Sequence, residues 1–528
     1  MKINKFTSLF ATCLLLGLTA CSNDNVSDAD SGNGAENKDL TGKTSFSITS
    51  EAKTRTSGVY DGSGVDFYWT TNDNIWVKSG STLTASSSNN ITSTTAASAK
   101  FYFDGTYTAA SYPVRYTGNA STSGNTVTIA TSQNQDEANN ATQLGTVGDC
   151  GVGTATRQTD GSYKFTLSHK ASYITFMPYY SKEALDASAV VTKIKVEAAN
   201  GEKLAGTFNF SDSGLGAANS SSDSVTLTLN GTSSTTGFPI PTTATASKNA
   251  AIMVVAPGTY STFKVTYTLY DSVTGTKSTI SYTYSGKTCT AGKNQKISTD
   301  LGMATYTDRK TDYYMWDAKK NYWDGFETSQ PLLNNAENTN YAKSSADTRW
   351  YNTAFKFKVL EKAINSCKDQ PTFEALTWYI GGGSPQLDNK TLWVFANHLY
   401  AGGIWLKKKN KISHFSSTES YTGKAAWDSG ADIPFNVAIS GKPASSVRGD
   451  YFYLPALGQY KNGKLNGLGV SGYYWASTPN PVNSGDGSVG SKAISANCLR
   501  FAVDATSNNV YVRSYYERNV GMQVQKFE

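Results

Sequence analysis

Charge is scarce in this chain. Asp, Glu, Lys and Arg make up 17% of its 528 residues, against about a quarter in ordinary globular domains, and Ser, Thr, Asn and Gly fill the gap. The net charge of +6 is small for the length, and the one basic run is Lys407-Lys408-Lys409, so no nucleic-acid partner is expected. Three histidines occur, His169, His398 and His414, far apart and without zinc spacing; no metal or other cofactor is expected. Six cysteines include no C-x-x-C pair, and no G-x-S-x-G elbow is present. The acid/base or nucleophile cluster that an enzyme needs is thus missing, and catalysis is not expected. No apolar run beyond the first twenty residues is long enough to span a bilayer as a helix.

What is present begins at the N-terminus. Lys2 and Lys5 precede an apolar run from Leu9 to Leu18, and Leu18-Thr19-Ala20 places small residues before Cys21. That order predicts a secretory signal over residues 1–20. The stretch also resembles a lipobox, where signal peptidase II cleaves before a cysteine that becomes lipidated. Several acyl chains anchor far better than one, so a multiply acylated Cys21, palmitate included, would tie the chain to the outer membrane. Residues 21–43 are Asn, Asp, Ser and Gly with almost no apolar content, a disordered tether by composition. Its early acids, Asp24, Asp28 and Asp30, resemble the acidic tracts that send lipoproteins of Bacteroidetes to the cell surface. Beyond Cys13 and Cys21 the cysteines are Cys150, Cys289, Cys367 and Cys498. The exported compartment permits disulfides; one bridge within each half and four buried thiols both fit.

The roughly 500 residues after Cys21 are too many for one core. Residues 44–304 carry short alternating runs such as Ser45-Phe46-Ser47-Ile48-Thr49, Tyr163-Lys164-Phe165-Thr166-Leu167 and Val225-Thr226-Leu227-Thr228-Leu229, parted by Gly, Asn, Ser and Asp. Period-two alternation without helical runs predicts β-sandwiches. A seam near Tyr180-Ser181-Lys182-Glu183 divides them into domains over 44–182 and 183–304. The texture then changes. Eight of the ten tryptophans and essentially all the positive excess fall in 305–528, where helical signals first appear. Thr372 caps a predicted helix with Phe373, Leu376, Thr377 and Ile380 on one face, stopped by Gly381 to Gly383. Asp388 caps a second, with Leu392, Phe395 and Leu399 on a stripe and Gly402 at its end. The predicted fold is mainly β: two tandem sandwiches followed by an α+β domain.

Residues 44–304 resemble the two-domain fimbrillins of Bacteroidetes type V pili, which are transthyretin-like, Greek-key β-sandwiches. The resemblance is carried by Phe46-Ser47-Ile48, Thr54-Arg55-Thr56-Ser57 and Trp69-Thr70-Thr71-Asn72-Asp73-Asn74-Ile75-Trp76-Val77, close to the family's Trp-x-x-Gly-Asp-x-Ile-x-Val. Asn72 replaces the usual Gly and still tolerates a left-handed turn. Phe165-Thr166-Leu167-Ser168-His169-Lys170-Ala171 and Ala256-Pro257-Gly258-Thr259-Tyr260 follow in order. Residues 306–528 resemble the Fibrobacter major paralogous domain, a relative of the C-type-lectin-like and formylglycine-generating-enzyme folds. Here the carriers are Tyr314-Met315-Trp316-Asp317-Ala318, the stretch Pro371 to Tyr379, Tyr453-Leu454-Pro455-Ala456-Leu457-Gly458, Gly472-Tyr473-Tyr474-Trp475-Ala476-Ser477-Thr478 and the terminal Tyr511-Val512-Arg513 region.

The first resemblance implies assembly by donor-strand exchange. A protease removes the first strand, and a strand from another fimbrillin subunit fills the groove by β-augmentation. Mapped here, the displaced strand carries Phe46 and Ile48, and cleavage after Arg55 makes Thr56 the new N-terminus. A lectin-like domain in place of a donor strand suits a tip adhesin whose partner is a surface glycan or protein of host or bacterial origin; the alternative is a non-polymerising lipoprotein that stays on the outer membrane through Cys21. Sugar recognition uses aromatic faces beside amides and carboxylates, which nominates Trp405, Trp427 with Asp428, and Tyr474-Trp475; each also suits a core. The Glu-Pro-Asn, Gln-Pro-Asp and Trp-Asn-Asp triplets of calcium-dependent lectins are absent from the sequence. The catalytic cysteine pair of the formylglycine-generating fold has no counterpart, since Cys367 and Cys498 stand in separate elements. Two nucleotide-like strings, Gly485 to Gly490 and Gly458 to Lys464, read as turns, because the first opens no helix and the second has Leu465 where Ser or Thr must hold magnesium.

Overall fold

The computed structural model describes residues 40–48, 57–62, 64–93, 96–231, 237–353, 362–423, 433–479, 495–503 and 509–528. The chain divides into Met1–Gly42, of which only the turn at 40–42 is described, and Lys43–Glu528. The second unit is mainly β and built of several packed sheets. Among the described residues no helix is long and apolar enough to cross a membrane.

The alternating runs form strands where period two places them. Lys43–Ile48 buries Phe46 and Ile48 while Ser45 and Ser47 face the other way, and Tyr163–Phe165 and Ser224–Leu229 behave alike. The first core gathers Phe46, Trp69, Ile75, Phe101, Phe103, Tyr116 and Tyr163 beneath a nine-stranded sheet. In the tryptophan-bearing turn Asp73 is 1% exposed; it accepts from Thr70 N at 2.7 Å and from Tyr116 Oη at 2.8 Å. Asn72 does not take the left-handed conformation that its place in the motif allowed. The positive φ nearby, 51°, belongs to Ala120, whose N–H donates to Asn72 O at 3.0 Å.

The second core lies between a sheet containing Ala189–Ala198, Gly258–Asp271 and Thr276–Cys289 and a smaller one formed by Ala251–Val255, Ser172–Tyr179 and Asn294–Asp300. Ser172–Tyr179 precedes the seam drawn from sequence, yet it is the central strand of that smaller sheet. Seven of its eight residues are buried, so it does not alternate, as expected of a strand covered on both faces.

In the C-terminal region the helix expected from Thr372 spans Phe373–Gly381, with Thr372 Oγ1 accepting from Ala375 N at 3.1 Å. The same hydroxyl donates to Ser417 O at 2.7 Å. Thr372→Ala should therefore lower stability by about 1 kcal/mol, the usual worth of an N-cap, read as a lower urea midpoint at unchanged slope. The second expected helix is not formed. Gln386–Phe395 and His398–Lys407 are instead antiparallel strands joined at Ala396-Asn397, with φ of 50° and 69°. Both values are positive, as a two-residue type I′ hairpin turn requires. A stripe at 392, 395 and 399 fits either period, and the aromatic and branched run Trp393-Val394-Phe395 settles it toward a strand.

Candidate functional site

The first strand is the first feature with functional geometry. It is not an edge: Lys43–Ile48 runs parallel to Tyr163–Phe165 on one side and antiparallel to Lys100–Asp104 on the other. Phe46 is fully buried, stacked on Tyr163 at 4.6 Å and edge-on to Phe103 at 4.9 Å. Taking this strand away would leave two facing strand edges and an aromatic-lined slot between them. Arg55, Thr56 and Cys21 lie outside the described residues.

The second feature is a cleft of about 1020 Å³ between the edge strand Thr276–Cys289 and the 386–407 hairpin. Trp405 lines it, half-buried. Its Nε1 donates to Asp388 Oδ2 at 2.9 Å, and its ring lies 4.8 Å from that of Tyr453, directly opposite on the next strand. Lys442 Nζ stands 5.9 Å from the Trp405 ring centroid, and burial lowers its pKa, with Arg448 adding to the effect. Asp388 is 1% exposed. Burial by itself would raise its carboxyl, but hydrogen bonds from Thr391, Trp405 and the N–H groups of Lys390 and Thr391 outweigh this and hold its pKa below the usual value. With both oxygens engaged, Asp388 orients the indole and has no spare lone-pair geometry for proton transfer. The Tyr453 hydroxyl is buried without a hydrogen-bond partner among the described residues. This arrangement suits binding: an oriented aromatic face, a cation above it, and exposed Asn389, Ser281 and Ser440 around the mouth.

The cleft is held open by a polar lock between its two walls. Asp271, fully buried at the end of Gly258–Asp271, accepts from Ser188 Oγ and Leu399 N at 2.9 Å and from Val273 N at 3.0 Å, and lies 3.1 Å from His398 Nδ1. Thr274 Oγ1 donates to Leu399 O and Ser278 Oγ to Lys390 O, each at 2.7 Å. Leu392, Val394 and Leu399 of the hairpin enter the second sandwich's core. The C-terminal region is thereby mounted on the sandwich through its core and not by a linker alone.

Other nominated residues fall elsewhere. Tyr474 and Trp475 are fully buried, with Tyr474 Oη donating to Pro455 O at 2.5 Å and Trp475 Nε1 to Tyr314 O at 2.8 Å. Neither offers a stacking face, because the strand Ser471–Pro479 is buried on both sides. Gly472, which opens that motif, lets Phe501 lie against the backbone; a Cβ there would sit 2.2 Å from its ring. Trp427 and Asp428 lie outside the described residues. Cys150, Cys289, Cys367 and Cys498 are all buried thiols, none in a disulfide. Each sits in an apolar cluster that accepts a thiol as a small hydrophobe. Burial raises Cys289 to about 11 and Cys367 to about 12, and it pushes Cys150 well above the usual thiol value, with Asp149 beside it adding to the effect. Thiolate chemistry is disfavoured at all three. Sequence reading took Asp388 for a helix cap and passed over Lys442, since strand register brings the first to Trp405 and the loop after Ile433–Asn436 brings the second.

No family model and no curated protein matches the chain. Solved structures that resemble it include a candidate cell adhesion protein from Bacteroides uniformis, at 15% identity and a TM-score of 0.28, over 49% of this chain and 93% of that one. Another, from Bacteroides eggerthii and described likewise, has 14% identity and a TM-score of 0.24 over 49% and 87%. A fimbrial protein from Bacteroides ovatus matches at 13% identity and a TM-score of 0.19 over 48% of each chain.

Proposed function

We propose that this chain is a cell-surface adhesin of a fimbrial system, a tip subunit that accepts a donor strand and displays residues 305–528. The observation that carries the reading is the placement of Lys43–Ile48: a short, serine-rich strand inserted between two strands that it alone connects, with Phe46 as its plug. Such a segment can be replaced by any strand offering an apolar residue at the same register, which is the physical requirement for strand exchange. The cleft at Trp405 is the ligand site of this reading, and its role is recognition and not catalysis. Anchoring through lipid on Cys21 before cleavage after Arg55 completes it.

The test is the N-terminal sequence of the protein in sheared surface fibres and, separately, in detergent-extracted membranes. A start at Thr56 in fibres is the expected result. A start at acylated Cys21 in every fraction, with no fibre-associated form, overturns the fimbrial reading and leaves a membrane-held binding lipoprotein.

A further inference from the structure

One wall of the Trp405 cleft is free backbone. It belongs to Thr276–Cys289, the last strand of a six-stranded sheet. Among the described residues no backbone group outside Gly258–Asp271 pairs with residues 277–287. Thr279, Ile280, Ser281 and Tyr282 line the cleft in succession. Neighbouring strand side chains point to opposite faces, so a cleft that touches four in a row opens on the strand's edge. In an antiparallel pair alternate residues turn N–H and C=O away from the partner strand, and two of these four therefore offer both groups to the cleft. Proteins keep free edges short or guard them with charge and proline. The other edge of this sheet, Ser132–Gln135, has four residues, and the edges of the nine-stranded sheet, Thr82–Ala85 and Ser88–Asn89, have four and two. Thr276–Cys289 has 14, with Lys277 and Lys287 near its ends and neither charge nor proline from Ser278 to Ser285.

We propose, resting on the reading of this cleft as the adhesin's ligand site, that it binds an extended acidic peptide, which adds to residues 279–282 as one further strand. Main-chain pairing gives such a ligand its affinity, and side-chain pockets give selectivity. The opposite wall supplies the pocket, the Trp405 ring oriented by Asp388. The charges select the sign. Lys390 and Lys442 stand exposed on the lining and form no ion pair among the described residues. The carboxylates of the lining are already engaged, Asp388 as described and Asp300 by Ser181 Oγ and Gly302 N. Thr274 and Ser278 tie this end of the strand to Leu399 and Lys390 of the hairpin, so a whole second sheet is kept off and a single segment can enter. A peptide repeats its N–H and C=O groups at the strand's own spacing, about 7 Å per two residues, which the hydroxyls of a saccharide do not.

The probe is fluorophore-labelled acetyl-Thr-Val-Glu-Val-Thr-Val-amide, titrated by polarisation against the full chain in detergent at low salt. It should bind with a Kd below about 1 mM, and about five-fold tighter than the same peptide with Gln in place of Glu, the worth of exposed ion pairing. With Lys390→Gln and Lys442→Gln combined, the two peptides should bind alike. N-methylation of alternate peptide amides on one edge should lose at least about ten-fold, and on the other edge less than about two-fold, because only one edge meets the strand. Hydrogen exchange should find two amides of residues 279–282 exposed in the free chain and slowed at least about ten-fold by the peptide. Absence of peptide binding, methylation that fails to distinguish the edges, or a Glu preference that survives the double variant overturns the proposal. So does protection of 279–282 in the concentrated chain alone, which assigns the edge to a second copy. Maltotetraose, titrated in parallel, keeps the two readings apart. If it binds, the peptide does not, and Trp405→Ala abolishes the binding, the cleft remains the ligand site and only the peptide falls. If the peptide binds unchanged by Trp405→Ala and protects amides elsewhere, the cleft falls with it.

Discussion

Phe46→Ala is expected to cost the N-terminal sandwich about 3–5 kcal/mol, the range for truncating a fully buried aromatic side chain. The side chain is wholly enclosed, and removing it also deletes the stack on Tyr163 and the edge contacts with Phe103 and Tyr107. The strand that carries it is six residues long, and Ile48 is its one other buried position. Little else holds it against the 163–165 strand, whose parallel register with it spans only three pairs. Urea denaturation followed at the tryptophans of the first sandwich, Trp69 and Trp76, would measure the loss. The same geometry predicts the outcome of cutting. A chain beginning at Thr56 should show an early, low-urea transition of this sandwich, and a peptide of residues 43–49 added in trans should restore it. The peptide with Phe46 replaced by Ala should not. If the native and peptide-supplied forms unfold no later than the truncated chain, the first strand is not the plug and strand exchange loses its basis.

Asp271→Ala should cost about 3–5 kcal/mol, comparable to leaving the partner of a buried charge unmatched. The substitution orphans the Leu399 N–H and the Ser188 hydroxyl at once, and each such buried group costs about 1–3 kcal/mol when unpaired, while the N–H of exposed Val273 turns to water. Because Leu399 belongs to the hairpin wall of the cleft and Ser188 leads into Ala189–Ala198 of the sheet that carries the other wall, the effect should extend beyond stability. The hairpin tip at Ala396-Asn397 should become open to proteolysis in the variant while resisting it in the native protein. Asp271→Asn, which keeps the volume and one acceptor, should fall between the two. Full resistance in Asp271→Ala would mean that Leu392, Val394 and Leu399 hold the hairpin unaided.

Sequence pattern went far in the sandwiches, because a strand with one wet face must alternate and one with neither must not. Phe46 and Ile48 could be placed inside from their spacing alone, and Thr372 could be placed at a helix start because a cap acts on its own first turn. Signals confined to a few neighbouring residues are legible in this way. The 386–407 hairpin was not, since three apolar positions satisfy both periods and only the pairing of Gln386 with Trp405 decides between them. Tyr474 and Trp475 were ambiguous for a related reason: an aromatic pair looks alike on a binding face and in a core until the sheets on both sides are present.

What the chain's sequence determined by itself was its β character, its first buried strand and the capped helix, all set by local chemistry at periods of two or four residues. The tertiary structure alone decided which strand lies between which neighbours, where the Trp405 cleft opens, and that Asp388, Trp405 and Lys442 meet there. Those residues are separated by tens of positions along the chain, and register between distant strands is fixed by the packing of the whole core, which no local window of sequence contains.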